Sequence, residues 1–214
     1  MKYVVRAAAL AAVAMVATAC GSESDGQPQP EPSSPAESTT SAAPSSAADD
    51  DRELPHSGAP AVKNPLPKSV LDGDPCTDAL TKAQVKEFLG GAATSDDADE
   101  PRLGPGCSWS NQDTLASFVL NYDVADGQGL SGAYANAKRR REFNEIEPFE
   151  GFPAVQYHES DVDRTCTTVV GLADEYGLVM SLAIGPNRAE EVQDPCDAGR
   201  MVMERVVGNL KAKA

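Results

Sequence analysis

The sequence predicts an α+β domain: an antiparallel sheet of about five strands, packed against two or three helices and stapled by two disulfides. Three observations predict it. Short apolar runs follow one another across turn-sized gaps, the pattern of hairpins and not of βαβ units. Three longer segments, near 81–89, 130–143 and 195–210, place apolar residues at helical spacing. Four cysteines lie in the same stretch, and small exported domains pair such cysteines.

Each element has a local reason. Thr81-Lys82-Ala83-Gln84 fits a capping box that opens a helix through Val85, Phe88 and Leu89, and Gly90-Gly91 stops it. Ser95 to Pro105 reads as an acidic loop. Cys107–Asn111 and Leu115–Tyr122 read as strands around a tight Gln112-Asp113 turn. Leu130–Phe143 reads as a helix, with Leu130, Ala133, Tyr134, Ala137 and Arg141 spaced for one face. Ala154–His158, Thr165–Ala173 and Leu178–Ile184 read as three further strands, the last two joined through Asp174-Glu175-Tyr176-Gly177. A final helix runs from about Pro195 to Leu210. The order α-β-β-α-β-β-β-α, with strands reached through hairpins, is that of an antiparallel α+β domain.

These elements occupy only part of the 214 residues. Lys2 and Arg6 precede an apolar run, Ala7 to Ala17, that spans about 16 Å as a helix, roughly half a bilayer core. Residues 1–19 therefore read as an export signal and not as a membrane-spanning helix. Val16-Ala17-Thr18-Ala19-Cys20 resembles a degenerate lipobox, in which Cys20 takes a diacylglycerol and further acyl chains; Ala17-Thr18-Ala19 also fits an ordinary signal-peptidase site. Two or more chains anchor a protein stably where one is marginal. Residues 20–70, dominated by serine, alanine and proline, read as a lipid-anchored disordered linker that spans about 40 Å. Residues 71–214 are the domain. The expected location is the outer face of the cytoplasmic membrane.

With Cys20 spent on the anchor, Cys76, Cys107, Cys166 and Cys196 remain. Four cysteines allow three pairings, among which spacing alone does not choose. Cys76 and Cys196 each follow Asp-Pro at a helix start, whereas Cys107 and Cys166 each open a strand-like run. Joining helix start to strand favours Cys76–Cys107 and Cys166–Cys196. Zinc is the rival use of four cysteines, but no C-x-x-C occurs and the chain reads as exported, so no metal is expected.

A net charge of −15 argues against a nucleic-acid binder, which carries a basic footprint. No nucleophile elbow, zinc-protease helix, P-loop or dinucleotide fingerprint occurs. His158 lies near Ser160, Asp161 and Asp163, but residues so close in sequence rarely converge around one reacting atom. No catalytic residue or cofactor is assigned. Lys138-Arg139-Arg140-Arg141 stands out in a domain with 13 basic and 25 acidic residues over 71–214. It suits an anionic lipid headgroup or wall polymer, yet on a helix four consecutive side chains fan through about 300°, which favours a solvated surface paired with Glu142 and Glu145. Trp109, beside Cys107, reads as a core residue packed on a disulfide. Asp49-Asp50-Asp51 and Asp96-Asp97-Ala98-Asp99-Glu100 read as solvated acidic runs without EF-hand spacing.

Five motifs in order carry a resemblance: Asp74-Pro75-Cys76; Gly104-Pro105-Gly106-Cys107-Ser108-Trp109; Gly151-Phe152-Pro153-Ala154-Val155; Cys166 in a strand; and Asp194-Pro195-Cys196-Asp197-Ala198. Together they resemble the actinobacterial lipoprotein family known as domain of unknown function 3558, over roughly residues 70–212. The resemblance implies a secreted, lipid-anchored α+β domain and brings no catalytic residues. The expected function is a non-enzymatic surface domain that binds a small molecule, a wall component or an exported protein. The alternatives are a wall-associated hydrolase with an unadvertised site, or a structural accessory lipoprotein of a membrane complex.

Overall fold

Elements of the structure, a computed structural model describing residues 53–158, 164–186 and 194–214, follow in chain order. They are α1 (Pro75–Asp78), α2 (Lys82–Leu89), β1 (Ala93–Asp97), β2 (Gly106–Asn111), β3 (Ala116–Asp123) and α3 (Leu130–Ala135). Then come β4 (Arg141–Phe149), β5 (Phe152–His158), β6 (Thr165–Gly171), β7 (Gly177–Ala183) and α4 (Pro195–Lys211). The strands form one seven-stranded sheet in the order β1-β2-β3-β7-β6-β5-β4, and every neighbouring pair is antiparallel. Two hairpin ladders, β1 to β3 and β4 to β7, thus meet at the β3–β7 seam. The α+β class stands, with seven strands instead of about five.

The two additional strands are the edges. β1 reads ATSDD, and its last four residues are exposed. A short charged edge carries no hydrophobic alternation, because nothing packs on it and the charge discourages further pairing. β4 was expected to be the end of a helix. Its pairing with β5 slips between Arg141 and Asn144 and again between Ile146 and Phe149. The second bulge puts Ile146 and Phe149, three residues apart, into the same core, a spacing that imitates a helix. The predicted helix 130–143 ends instead at Ala135. The Asn136 side chain donates to the Gly132 carbonyl at 2.9 Å, and one 3-10 turn, Ala137–Arg139, leads into the strand. The β4–β5 hairpin turns on Glu150 and Gly151, both at positive φ (50° and 96°), as a two-residue hairpin of primed type requires.

Each Asp-Pro-Cys motif performs the same task. The Asp74 and Asp194 carboxylates accept from the Cys76 and Cys196 backbone N–H at 2.8 Å, and proline occupies the first turn, where its missing N–H costs nothing. The capped cysteine then bonds to a strand: Cys76–Cys107 to β2 and Cys166–Cys196 to β6, with Cα–Cα distances of 5.0 and 5.1 Å. Both expected pairings are present. Gln156 reinforces the second staple, donating to Thr168 Oγ1 at 3.0 Å and to the Cys196 carbonyl at 2.8 Å. The Thr81–Gln84 capping box of α2 is complete. The β2–β3 turn runs to Leu115, whose φ is 57°, so β3 starts one residue later than the sequence suggests.

On one sheet face, Phe118, Leu120, Tyr122, Met180 and Leu178 meet Val202, Met203 and Val206 of α4. The other face holds a smaller cluster of Ala59, Leu130, Val155, Tyr157 and Val169. Residues 53–70 are therefore part of the domain and not spacer, which corrects the predicted boundary at residue 71. Val62, Leu66 and Val70 are buried, Leu66 N–H donates to the Leu172 carbonyl at 3.1 Å, and the Tyr176 hydroxyl donates to the Leu66 carbonyl. Composition over fifty residues hides this, because three or four apolar contacts suffice to hold a strap whose backbone bonds to a loop. The remaining linker residues and Cys20 lie outside the described residues.

Candidate functional site

A groove of about 590 Å³ opens where α1 and α2 lie against β1 and β2. The capping box at Thr81 starts α2 so that Lys82 and Lys86, one helical turn apart, both line the groove. Leu80, Val85 and Trp109 supply apolar wall, and Thr77, Thr94 and Ser95 supply hydroxyls. The Cys76–Cys107 disulfide fixes α1 against β2 and so sets the width. Trp109 is 2% exposed and lies 5.1 Å from the Phe118 ring, so it is the core residue that the sequence suggests. Such a groove is of small-ligand size and combines apolar wall with a few polar groups. Its sequence signal was Lys82 and Lys86 on one face, which has no meaning until β1 is known to run opposite.

A second depression, about 520 Å³, lies between α2 and α4 and is lined by Phe88, Phe149, Met201 and Arg205 among others. A smaller pocket shares Phe88 and Met201 with it and reaches Leu182 and Ile184 at the sheet end. Met201 is a large apolar residue of α4 that is 54% exposed.

Asp74, Cys76 and Asp97 bring three potential metal-ligand atoms within 4.8 Å of one another. The Cys76 sulfur is spent in the disulfide, however, so the group holds two exposed carboxylates and no thiolate. His158 does not assemble with a nucleophile among the described residues. Its Nδ1 contacts the Thr165 carbonyl, and its Nε2 faces Glu142 at 3.5 Å and the Cys196 sulfur at 3.8 Å. It serves the strand end beside the second disulfide. Ser160, Asp161 and Asp163 lie outside the described residues. Of the acidic run 96–100, Asp96 and Asp97 belong to β1 and Asp99 accepts the Gly106 N–H at 3.0 Å.

Tyr134, Tyr122 and Asp123 each bury a polar atom with no hydrogen-bond partner among the described residues. Burial, then Asp78 and Asp74, pushes the Tyr122 pKa up. Asp123, at the end of β3, leaves Oδ1 unpartnered; burial first, and then the neighbouring Asp126, pushes its pKa up to about 7. Neither sits in the groove. Burial, and then Glu145, also raises Tyr134 on the opposite sheet face.

The model of the family described as "Protein of unknown function (DUF3558)" matches residues 15–209. No curated protein and no solved structure matches the chain. The matched span takes in both disulfides, both Asp-Pro-Cys caps and the groove beside the first of them. The chain belongs to the DUF3558 family.

Proposed function

We propose that the protein is an exported lipoprotein, acylated at Cys20 on the outer face of the membrane, whose domain is a non-enzymatic binding module. The groove between α1–α2 and β1–β2 takes a small molecule or a segment of wall component. The observation that carries this reading is the groove itself: about 590 Å³, walled by Leu80, Val85 and Trp109 and flanked by Lys82 and Lys86. The two lysines, in a chain of net charge −15, suit a ligand with an anionic end and an apolar body. The two disulfides support export, since such bonds persist in oxidising compartments.

Native mass spectrometry of the Cys20→Ala chain after exposure to wall and membrane extract tests the binding claim. Ser95 is exposed on β1 and its backbone is paired with Trp109, so Ser95→Trp fills the groove. A small molecule retained by the parent chain and lost in Ser95→Trp supports the reading; equal retention in both, or none in either, sinks it. Acylation is tested separately by the mass of Cys20 in the exported protein, and an unmodified thiol ends that part. A second reading, docking of an exported protein, is favoured by exposed Met201 beside Phe88 at the α2–α4 depression.

A further inference from the structure

The cationic run 138–141 takes on a different meaning once its backbone is known. On a helix the four side chains diverge, and the run reads as solvated surface. The structure places Ala137–Arg139 in one 3-10 turn, carries Arg140 in extended conformation and makes Arg141 the first residue of β4. Lys138, Arg139 and Arg141 are exposed. Arg140 folds back, its guanidinium 4.7 Å above the Tyr157 ring. Beneath it Phe143 stacks on Tyr157 at 5.9 Å and meets Tyr134 edge-on at 5.2 Å. The turn is thus fastened on an aromatic layer by a cation–π contact. Glu142 is engaged by Arg141 at 3.3 Å and by His158 at 3.5 Å, and Lys138 and Arg139 are the exposed cations of the turn itself.

The same face receives the chain from its N-terminal side. His56 N–H donates to Ser131 Oγ of α3 at 3.0 Å, Gly58 lies beside the Tyr134 ring, and Ala59 packs in one cluster with Leu130 and Tyr157. Residues 56–59 therefore lie on the side of the domain that carries the basic turn. The rest of the domain is acidic on balance, so the attraction of an anionic surface is directional.

We propose that Lys138 and Arg139, exposed on the turn that Arg140 fastens, are a contact site for anionic lipid headgroups, seating the domain with its α3 side on the membrane in which Cys20 is acylated. The chemistry is that of a juxtamembrane polybasic segment: ammonium and guanidinium groups against phosphate, screened by salt. Tethering turns a weak affinity of this kind into sustained contact. The orientation rests on the proposed acylation; the headgroup affinity does not.

The test uses the mature chain, residues 20–214, carrying Cys20→Ala, which has neither export signal nor acyl group. It is co-sedimented with phosphatidylcholine vesicles and with vesicles enriched in phosphatidylglycerol. The expected result is binding to the anionic vesicles alone, weakened by salt. Each surface cation contributes a factor of about five, so Lys138→Ala with Arg139→Ala should lower the partition about thirtyfold. Lys211→Ala with Lys213→Ala, the same charge change on exposed ion pairs of the α4 end, should leave it within about twofold. Equal loss in both double variants, or no binding to anionic vesicles, overturns the proposal. So does binding to a soluble phosphate polymer without binding to vesicles, which assigns the turn to wall polymer instead. Lys138 and Arg139 are exposed, and unchanged circular dichroism of their variant separates lost binding from lost fold. An unmodified Cys20 in the exported protein removes the seating but leaves the vesicle result standing.

Discussion

Asp123→Asn should make the domain more stable at neutral pH and leave it unchanged in acid. Asp123 closes β3, is 5% exposed and has one carboxyl oxygen without a partner among the described residues. Burial, and then the Asp126 carboxylate beside it, raises its pKa from 3.8 to about 7. Each pKa unit is 1.36 kcal/mol of preference for the protonated form, so the shift corresponds to at most about 4 kcal/mol. The sign follows from linkage. Between about pH 4 and 7 the folded chain holds a proton that the unfolded chain releases, so raising the pH favours unfolding. The penalty is absent below the unfolded pKa and complete above the folded one. Asparagine stays neutral at every pH and keeps a donor toward Asp126. Urea unfolding at pH 4 and pH 8 measures the gap between variant and parent. It should be near zero at pH 4 and about 2–4 kcal/mol in favour of the variant at pH 8. A variant no more stable than the parent at pH 8, or a gap that narrows as pH rises, refutes the reasoning.

Leu66→Ala should cost about 2–4 kcal/mol in the same unfolding assay, because Leu66 is buried in the main core; a spacer residue would cost nothing. Cys166→Ser with Cys196→Ser should lower stability by about 3–4 kcal/mol, the loop-entropy value for the 30-residue separation, and Cys76→Ser with Cys107→Ser by a similar amount. Thermal melts of each pair variant, with the other disulfide intact, read this. Asp194→Ala should cost about 1 kcal/mol through the lost cap on Cys196 N–H, with no change in disulfide content by thiol titration.

The elements that were legible are those whose own residues face the core. The strands β2, β3, β5, β6 and β7 bury alternating or continuous apolar side chains, so their pattern survives in one dimension. The helices α2 and α4 carry side-chain caps that are local by construction. The edge strands were not legible. β1 is held by ladder hydrogen bonds to β2 and not by burial of its own side chains, and β4 carries two bulges that break the period of two. The groove was partly legible: its staple, Cys76–Cys107, followed from the helix-start and strand contexts, but its far wall is β1.

The amino-acid order by itself determined the class of fold, the two staples and the expectation of export, because each rests on neighbours within a few residues: a cap, a proline, an alternating run. Tertiary structure decided what is close to what. It drew Val62 and Leu66 of a proline-rich segment into the core, set Lys82 and Lys86 across from β1, and unwound a predicted helix so that Arg140 rests on Tyr157. These depend on contacts between residues far apart in the chain, and the burial energy of such contacts overrides local propensity wherever the two compete.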